Sequence, residues 1–157
     1  MTELFINKAR ACAVTGHRRV EKDLDLIKLE KIFIKLIEGG FDTFLVGMAI
    51  GFDTICFKIL EKLRRFYDIK IIACIPCKTQ SYKYSKEQKE EYDKMVKSAD
   101  ERVILSENYT PYCMHQRNRY MVDNCYCLIA YLRQDFGGTA NTVRYAQKQG
   151  VNIIFVK

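Results

Sequence analysis

Hydrophobic residues recur in short runs along this chain, and segments with helical spacing separate those runs. One run, residues 69–76 (IKIIACIP), is apolar almost throughout. Such a run is typical of a strand that is covered on both faces in a parallel sheet. The pattern predicts six strands, at residues 11–15, 43–47, 69–76, 102–105, 126–132 and 152–156.

Five helices are predicted between these strands, at residues 23–38, 53–66, 85–98, 111–124 and 139–149. Ser85 and Gln88 have the spacing of a capping box, which indicates the start of the third helix. Thr110 followed by Pro111 predicts a cap and a proline in the first turn of the fourth helix. Glycines follow the first and last helices and are expected to end them.

Strands that alternate with helices through short loops predict an α/β fold, with a Rossmann-like, doubly wound, mostly parallel sheet covered by helices on both faces. No linker or repeat divides the 157 residues, so we expect one domain over residues 1–157 with a core of about residues 11–156. Sheets of this kind bind ligands outside the carboxyl ends of their strands. The functional residues are therefore expected in the loops that follow the strands.

Composition narrows the class of protein. Apolar residues make up 48% of the chain, yet no apolar run approaches the roughly 18 residues of a membrane helix. Residues 1–10 lack the apolar segment of a secretory signal. The seven cysteines are odd in number and several fall in strand-like runs, which argues against a disulfide framework, so reduced thiols in the core are expected. These features predict a cytoplasmic protein without a membrane partner.

A formal net charge of +7 favours an anionic partner such as a nucleotide, a phosphosugar or a nucleic acid. The basic residues are dispersed in pairs, such as residues 18–19 and 64–65, and form no polybasic arm. We therefore expect a small anionic ligand rather than a nucleic acid.

Two loops near the start of the chain carry candidate binding residues. The loop after the first strand contains Thr15, Gly16, His17 and Arg18, whose donors suit a phosphate or a ribose. A tight turn with two exposed basic residues is the alternative. The loop after the second strand, residues 47–53 (GMAIGFD), leads into a helix, where free backbone N–H groups favour anions. Its candidates are Gly47, Gly51 and Asp53, although Asp53 could simply cap the helix.

The loop after the fifth strand has the composition of a phosphate-binding turn. Two glycines and a threonine stand at a predicted helix start, and an asparagine follows them. The alternative is a glycine-rich loop that ends in a threonine cap. The candidate residues are Gly137, Gly138, Thr139 and Asn141.

The fourth helix places polar residues on an apolar stripe. Met114, Arg117, Asn118 and Met121 fall within a stripe about 100° wide, whereas Arg119 points to the opposite side. A buried arginine needs a partner, because an unpaired charge is costly to bury. Either an internal carboxylate or a bound anion would satisfy Arg117, and we favour the anion.

These segments together resemble a known family. Residues 114–121 (MHQRNRYM) and 137–139 (GGT) resemble M-x-x-R-K-x-x-M and P-G-G-x-G-T-x-x-E of the Rossmann-like LOG phosphoribohydrolases. Residues 14–18 (VTGHR) and 47–53 (GMAIGFD) are more similar to the YpsA-like group. That group belongs to the SLOG superfamily, which unites LOG enzymes with DNA-processing DprA proteins. The similarity covers about residues 11–156.

The resemblance implies a homo-oligomer with a pocket for a nucleotide-derived ligand, such as a nucleoside monophosphate or an ADP-ribose-like molecule. No cofactor other than that ligand is expected. The implied binding positions are those that match the family motifs: Thr15, Gly16, Gly47, Gly51, Arg117, Gly137, Gly138 and Thr139. Tyr82 and Tyr84, in the polar loop after the third strand, are candidates for stacking on a base.

One departure from the family bears on catalysis. LOG enzymes carry acidic residues just after the last motif, where this chain has Asn141 and Thr142. Cleavage of an N-glycosidic bond needs a carboxylate, which an amide cannot replace. Arg117 and Asn141 are the candidate catalytic residues, and Asp53 or Glu107 could supply a carboxylate. We therefore predict a module that binds or senses a nucleotide. The alternatives are a phosphoribohydrolase and a DprA-like binder of single-stranded DNA.

Overall fold

The predicted alternation of strands and helices is confirmed in the computed structural model, which describes residues 4–157. Residues 1–3 of the predicted domain lie outside the described residues. A turn of 3-10 helix, Lys8–Arg10, precedes the first strand. The strands are β1 (Ala11–Gly16), β2 (Thr43–Val46), β3 (Lys70–Ile75), β4 (Glu101–Ile104), β5 (Cys127–Tyr131) and β6 (Asn152–Phe155). The helices are α1 (Leu26–Glu38), α2 (Phe52–Arg64), α3 (Lys86–Ser98), α4 (Cys113–Asp123) and α5 (Gly138–Lys148).

All six strands run parallel in one sheet, in the order β4-β3-β2-β1-β5-β6. The chain moves outward from β1 to β4 and then returns to the other side of β1, where Cys12 pairs with Cys127. The carboxyl ends of β1 and β5 therefore flank the point at which the winding changes direction. Loops diverge at such a point and leave a crevice for ligands. This is the Rossmann-like, doubly wound α/β fold that the sequence predicts.

Helices cover both faces of the sheet. Helices α1, α2 and α3 bury Phe33, Leu60 and Met95 on one face, and α4 and α5 bury Met121 and Ala146 on the other. Each helix connects two parallel strands, so each runs back against the strand direction. Helices α4 and α5 are therefore parallel neighbours, and both begin at the carboxyl edge of the sheet.

Two predicted helix starts are wrong by two or three residues. Helix α4 begins at Cys113 rather than Pro111, because Thr110 accepts the Tyr112 N–H at 3.3 Å and closes a turn before the helix. Helix α1 begins at Leu26 after Asp25, whose carboxylate accepts the Lys28 N–H at 3.0 Å. The capping box of α3 is confirmed, with both of its reciprocal hydrogen bonds present.

All seven cysteines are buried and unpaired. Burial raises the pKa of Cys74 to about 12, so this thiol stays protonated at neutral pH. Among the described residues, no helix has the length and apolar character that a membrane crossing requires.

Candidate functional site

A cleft of about 320 Å³ opens at the carboxyl edge of the sheet, between the ends of β1 and β2 and the starts of α4 and α5. It brings together residues that are up to 125 positions apart on the chain, because parallel strands deliver their loops to one edge. The predicted residues that line it are Thr15, Gly16, His17, Arg18, Gly47, Asp53, Arg117, Asn118, Gly138 and Thr139.

Arg117 forms the inner wall of the cleft and is only 6% exposed. Its Nη1 donates to the Gly47 carbonyl, its Nε donates to Asn118 Oδ1 at 2.7 Å, and its Nη2 has only the Met114 sulfur at 3.9 Å. All three partners are neutral. A guanidinium that is buried with neutral partners retains a strong preference for an anion.

Asp53 is the carboxylate that lines the same cleft, and it is also 6% exposed. It does not cap α2, because Gly51 occupies the N-cap position and Asp53 Oδ2 instead accepts the Ala49 N–H at 3.2 Å. Burial raises the pKa of Asp53 to about 6, against the opposing effects of the Arg117 charge and the Ala49 N–H. Asp53 lies near Arg117 without forming an ion pair within 4.0 Å.

Three positions on the β1 and β2 side are glycine because neighbouring protein atoms occupy the space that a side chain would need. A Cβ on Gly47 would stand 2.7 Å from Arg117 Nη1 and 3.0 Å from Asp53 Oδ2. A Cβ on Gly16 would overlap the Phe52 ring, and one on Gly51 would overlap the Arg18 backbone. Gly51 also has a φ of +88°, which favours glycine. The sequence predicts that Gly16 and Gly51 let a phosphate approach the backbone, and the structure shows protein atoms where a side chain would lie at all three positions.

The start of α5 differs from that arrangement. A Cβ on Gly138 would meet no atom within 4 Å, and this residue lines the cleft. Thr139 follows it and is buried at the cleft, as is Thr15 on the facing strand. The first N–H groups of α5 have no partner within the helix, and the helix dipole adds positive potential there. This end of α5 combines open space with N–H donors for an anion.

His17 lines the cleft and also joins two loops. Its Nε2 accepts the Arg133 N–H at 2.9 Å, which links the loop after β1 to the loop after β5 across the change in winding direction. Burial and the Arg133 charge lower the pKa of His17, so the ring is neutral at pH 7. His17 therefore serves as an acceptor within the protein, and Arg18 and Arg19 are the exposed bases of this loop.

Gln80 is a structural residue of the site that sequence reasoning missed. It is buried, its Nε2 donates to the Gly47 carbonyl at 3.0 Å, and its Oε1 accepts the Tyr92 hydroxyl at 3.0 Å. The loop that it supports places the buried Met48 at a φ of +65°, an uncommon value for a residue with a side chain. A glutamine in a polar loop carries no sequence signal for such a contact.

Three predicted binding residues lie outside the cleft. Gly51 lines a neighbouring cavity of about 230 Å³ that shares Arg18 with the cleft, and Tyr84 lines that cavity as well. Gly137 is the N-cap of α5, with a φ of +95°. Asn141 faces a groove between α4 and α5.

The positions at which LOG enzymes carry acids do not reach the cleft either. Asn141 Oδ1 accepts from Arg144 at 3.1 Å, and Thr142 Oγ1 donates to the Gly138 carbonyl at 2.8 Å. Glu107 is paired with Lys78 at 2.9 Å and is exposed, so it does not replace them. Of the candidate carboxylates, Asp53 alone lines the cleft. Tyr82 is exposed and lines neither the cleft nor its neighbouring cavity.

Comparison with known proteins identifies the family. Residues 12–154 match the YpsA family model, described as the YspA SLOG family, and the chain belongs to that family. A curated relative is YoqJ, an uncharacterized SPbeta prophage-derived protein of Bacillus subtilis strain 168. It is 32% identical over 142 residues, which cover 81% of this chain and 80% of the relative.

Solved structures show the same fold. DNA processing protein A (DprA) of Streptococcus pneumoniae matches with a TM-score of 0.65 and 22% identity, over 94% of this chain and 50% of that chain. DprA of Helicobacter pylori, solved for its single-stranded DNA binding mode, matches with a TM-score of 0.68 and 17% identity, over 95% of this chain and 66% of that chain. This chain thus spans between half and two thirds of these DprA chains.

Proposed function

We propose that this member of the YpsA SLOG family binds a nucleotide or nucleotide-derived ligand in the cleft, with the phosphate at Arg117 and the start of α5. A nucleoside monophosphate or an ADP-ribose-like molecule is the expected ligand. The observation that carries the proposal is the buried Arg117 guanidinium, which lines the cleft and has only neutral hydrogen-bond partners. A phosphate would supply the counter-charge that these partners lack.

The remaining lining residues suit the rest of a nucleotide. The hydroxyls of Thr15 and Thr139 lie at the same cleft and would donate to phosphate oxygens. Asp53, as an acceptor-only carboxylate, would hold ribose hydroxyls above its pKa of about 6. The cavity beyond Arg18 is lined by Met48, Tyr84 and other apolar groups, and it offers a surface for a base.

The first experiment is mass spectrometry of small molecules released by denaturing the purified protein, together with thermal shifts over a panel of nucleotides. A ligand at a hundred times its Kd should stabilise the fold by about 2.7 kcal/mol. Arg117→Gln should weaken AMP binding at least about tenfold, because a charge-assisted hydrogen bond is lost. An intact co-purifying nucleotide would support the proposal, and no shift with any nucleotide would contradict it.

Two controls separate binding from folding. Arg65→Gln removes an exposed arginine at the far end of α2 and should leave AMP affinity unchanged. Since Arg117→Gln also removes a bond to Gly47, Thr139→Ala tests the cleft with less disturbance of the fold. Weakened AMP binding by Thr139→Ala at an unchanged melting temperature would locate the phosphate at α5.

Phosphoribohydrolase activity is the second candidate, and Asp53 is the observation that favours it. A buried carboxyl with a pKa of about 6 beside a cationic group is typical of an acid–base residue. Release of free base from AMP, abolished by Asp53→Asn, would establish the enzyme. If AMP stays intact in the presence of the protein, the hydrolase is contradicted and the binding function remains.

Single-stranded DNA binding is the third candidate, because the Helicobacter pylori DprA with this fold binds it. It predicts an affinity for oligonucleotides that falls steeply with salt. The family resemblance further suggests a homo-oligomer in the cytoplasm, which sedimentation and cell fractionation would test.

A further inference from the structure

A groove of about 620 Å³ runs between α4 and α5 on the face of the sheet opposite α1, α2 and α3. The wall on α4 is built from residues spaced three and four apart, which places them on one stripe of the helix. They are Tyr112, His115, Gln116 and Arg119. This stripe is distinct from the one that carries Arg117 into the cleft.

The wall on α5 repeats the same spacing. The residues with this spacing are Asn141, Arg144, Tyr145 and Lys148, and Thr142 also lines the wall. At about 1.5 Å per residue, each wall extends for roughly 10 Å along its helix. Two parallel helices with matching stripes therefore form a channel that is considerably longer than one phosphate group.

The groove is cationic and contains no lining carboxylate among the described residues. Arg119, Arg144 and Lys148 carry three positive charges, and no ion pair within 4.0 Å involves any of them in the part of the chain that the structure describes. Asp123 stands nearby, but it accepts the Tyr145 hydroxyl at 2.7 Å and does not line the groove. Unneutralised charges that share one groove repel each other and favour an anion between them.

Neutral groups hold two of these cations in place. Arg144 donates to Asn141 Oδ1 at 3.1 Å and to the Asp135 carbonyl. The guanidinium of Arg119 lies over the Tyr145 ring, 4.9 Å from its centre. Arg119 and Arg144 are exposed but oriented by these contacts, which lowers the entropy cost of binding an anion at these two side chains.

The groove and the cleft meet at Asn118, which lines both. Helices α4 and α5 both begin at the cleft, so the groove leads away from it towards their carboxyl ends. From the cleft outward, Asn141 comes first, Arg119 and Arg144 follow at the seventh residue of their helices, and Lys148 is the last residue of α5.

We propose that the groove between α4 and α5 is a second phosphate-binding subsite, so that the ligand carries further phosphate groups beyond the one at Arg117. The chemistry is that of a nucleoside polyphosphate or of two nucleotides joined through a diphosphate. The nucleotide part of this inference rests on the proposed function. A second copy of the chain whose groove faced this one across a two-fold axis would oppose two groups of three positive charges.

The test compares AMP, ATP, NAD+ and inorganic tripolyphosphate by calorimetry, on the wild type and on Arg119→Gln/Arg144→Gln/Lys148→Gln. The wild type should bind ATP or NAD+ about tenfold more tightly than AMP, and the triple variant should lose that advantage while keeping its affinity for AMP. If only ATP binds more tightly than AMP, the groove binds a phosphate chain. If NAD+ binds more tightly than AMP, the groove binds a second nucleotide joined through a diphosphate.

A matched control removes the same charge from the opposite face of the sheet. Lys28→Gln/Lys31→Gln/Lys35→Gln changes three exposed lysines of α1 and should leave all four affinities unchanged. Equal losses in both triple variants would show that net charge, not the groove, governs binding, and would overturn the proposal.

Tripolyphosphate separates the groove from the nucleotide, since it has neither base nor ribose. If AMP fails to bind but tripolyphosphate binding depends on the three cations, the proposed nucleotide binding is contradicted and the groove is supported as a phosphate-binding site. If the wild type and the triple variant bind ATP, NAD+ and tripolyphosphate alike, or neither binds any of them, the groove proposal is overturned. A change in sedimentation without a change in affinity would also overturn it, in favour of an interface between copies.

Discussion

The two sides of the cleft use glycine for different physical reasons. On the β1 and β2 side, Gly16, Gly47 and Gly51 lack side chains because neighbouring protein atoms occupy that space. At the start of α5, the space beside Gly138 is empty. A glycine motif that matches a family therefore does not by itself reveal where the ligand lies. Both sides line the cleft, but a side chain in place of glycine would enter open space only at Gly138, whereas at Gly47 it would displace the charged groups of Arg117 and Asp53.

The largest expected effect comes from Gly51→Ala. Its Cβ would overlap the Arg18 backbone at a φ of +88°, so we expect the free energy of unfolding to fall by more than about 3 kcal/mol. Urea denaturation would measure the loss. Gly40→Ala is the control, because Gly40 has a φ of +109° and open space, and should lose only about 1 kcal/mol. Equal decreases in the free energy of unfolding for the two variants would mean that the overlap with the Arg18 backbone does not contribute to the loss at Gly51.

The second largest expected effect is the dependence of folding stability on pH that Asp53 contributes. Its pKa is raised on folding, so its neutral form is favoured in the folded state, and stability should fall as pH rises from about 4 through 6. The expected contribution is about 2 to 3 kcal/mol. Asp53→Asn should remove this slope, whereas Asp68→Asn, at an exposed position, should retain it. A wild-type stability that is flat over this range would contradict the raised pKa.

Gly47→Ala should have a smaller effect on stability and a large one on binding. The added Cβ forces Arg117 and Asp53 to move by a few tenths of an ångström or more, at a cost of about 2 kcal/mol. Under the proposed function, AMP affinity should fall along with stability. Calorimetry beside thermal melting would show whether both change, and unchanged AMP binding would separate Gly47 from the ligand site.

The smallest effect on folding is expected at Gly138. Replacement by Ala and then Val should change the free energy of unfolding by less than about 0.5 kcal/mol, because the added atoms enter open space. AMP affinity should fall in step with side-chain size if the phosphate lies there. Full AMP binding by Gly138→Val would place the phosphate elsewhere, and a large loss of stability would show that the space is not open.

The sequence predicts the order of the elements well because hydrophobic periodicity is a local signal. Strand β3 and the capping box at Ser85 follow directly from neighbouring residues. The predicted start of α4 is wrong because Thr110 can cap a turn as readily as a helix, and only the tertiary context selects between the two.

The site is predictable only in part, for a related reason. Loops after parallel strands meet at one edge, so Thr15 and Gly138 are correctly brought together. The contact of Gln80 with Gly47 spans 33 residues and has no motif. The packing of Phe52 against Gly16 and the path of Asn141 into the groove depend on where helices lie, which spacing alone does not determine.

The shared carbonyl of Gly47 has a consequence for the rate at which a ligand is captured. Arg117 and Gln80 both donate to this oxygen. If the guanidinium turned towards an incoming anion, the carbonyl would keep its hydrogen bond from the Gln80 amide. It would thus avoid becoming a buried acceptor without a donor, which would cost about 1 to 3 kcal/mol. The reorganisation barrier for recruiting Arg117 is therefore low, and capture should proceed without partial unfolding of the loop.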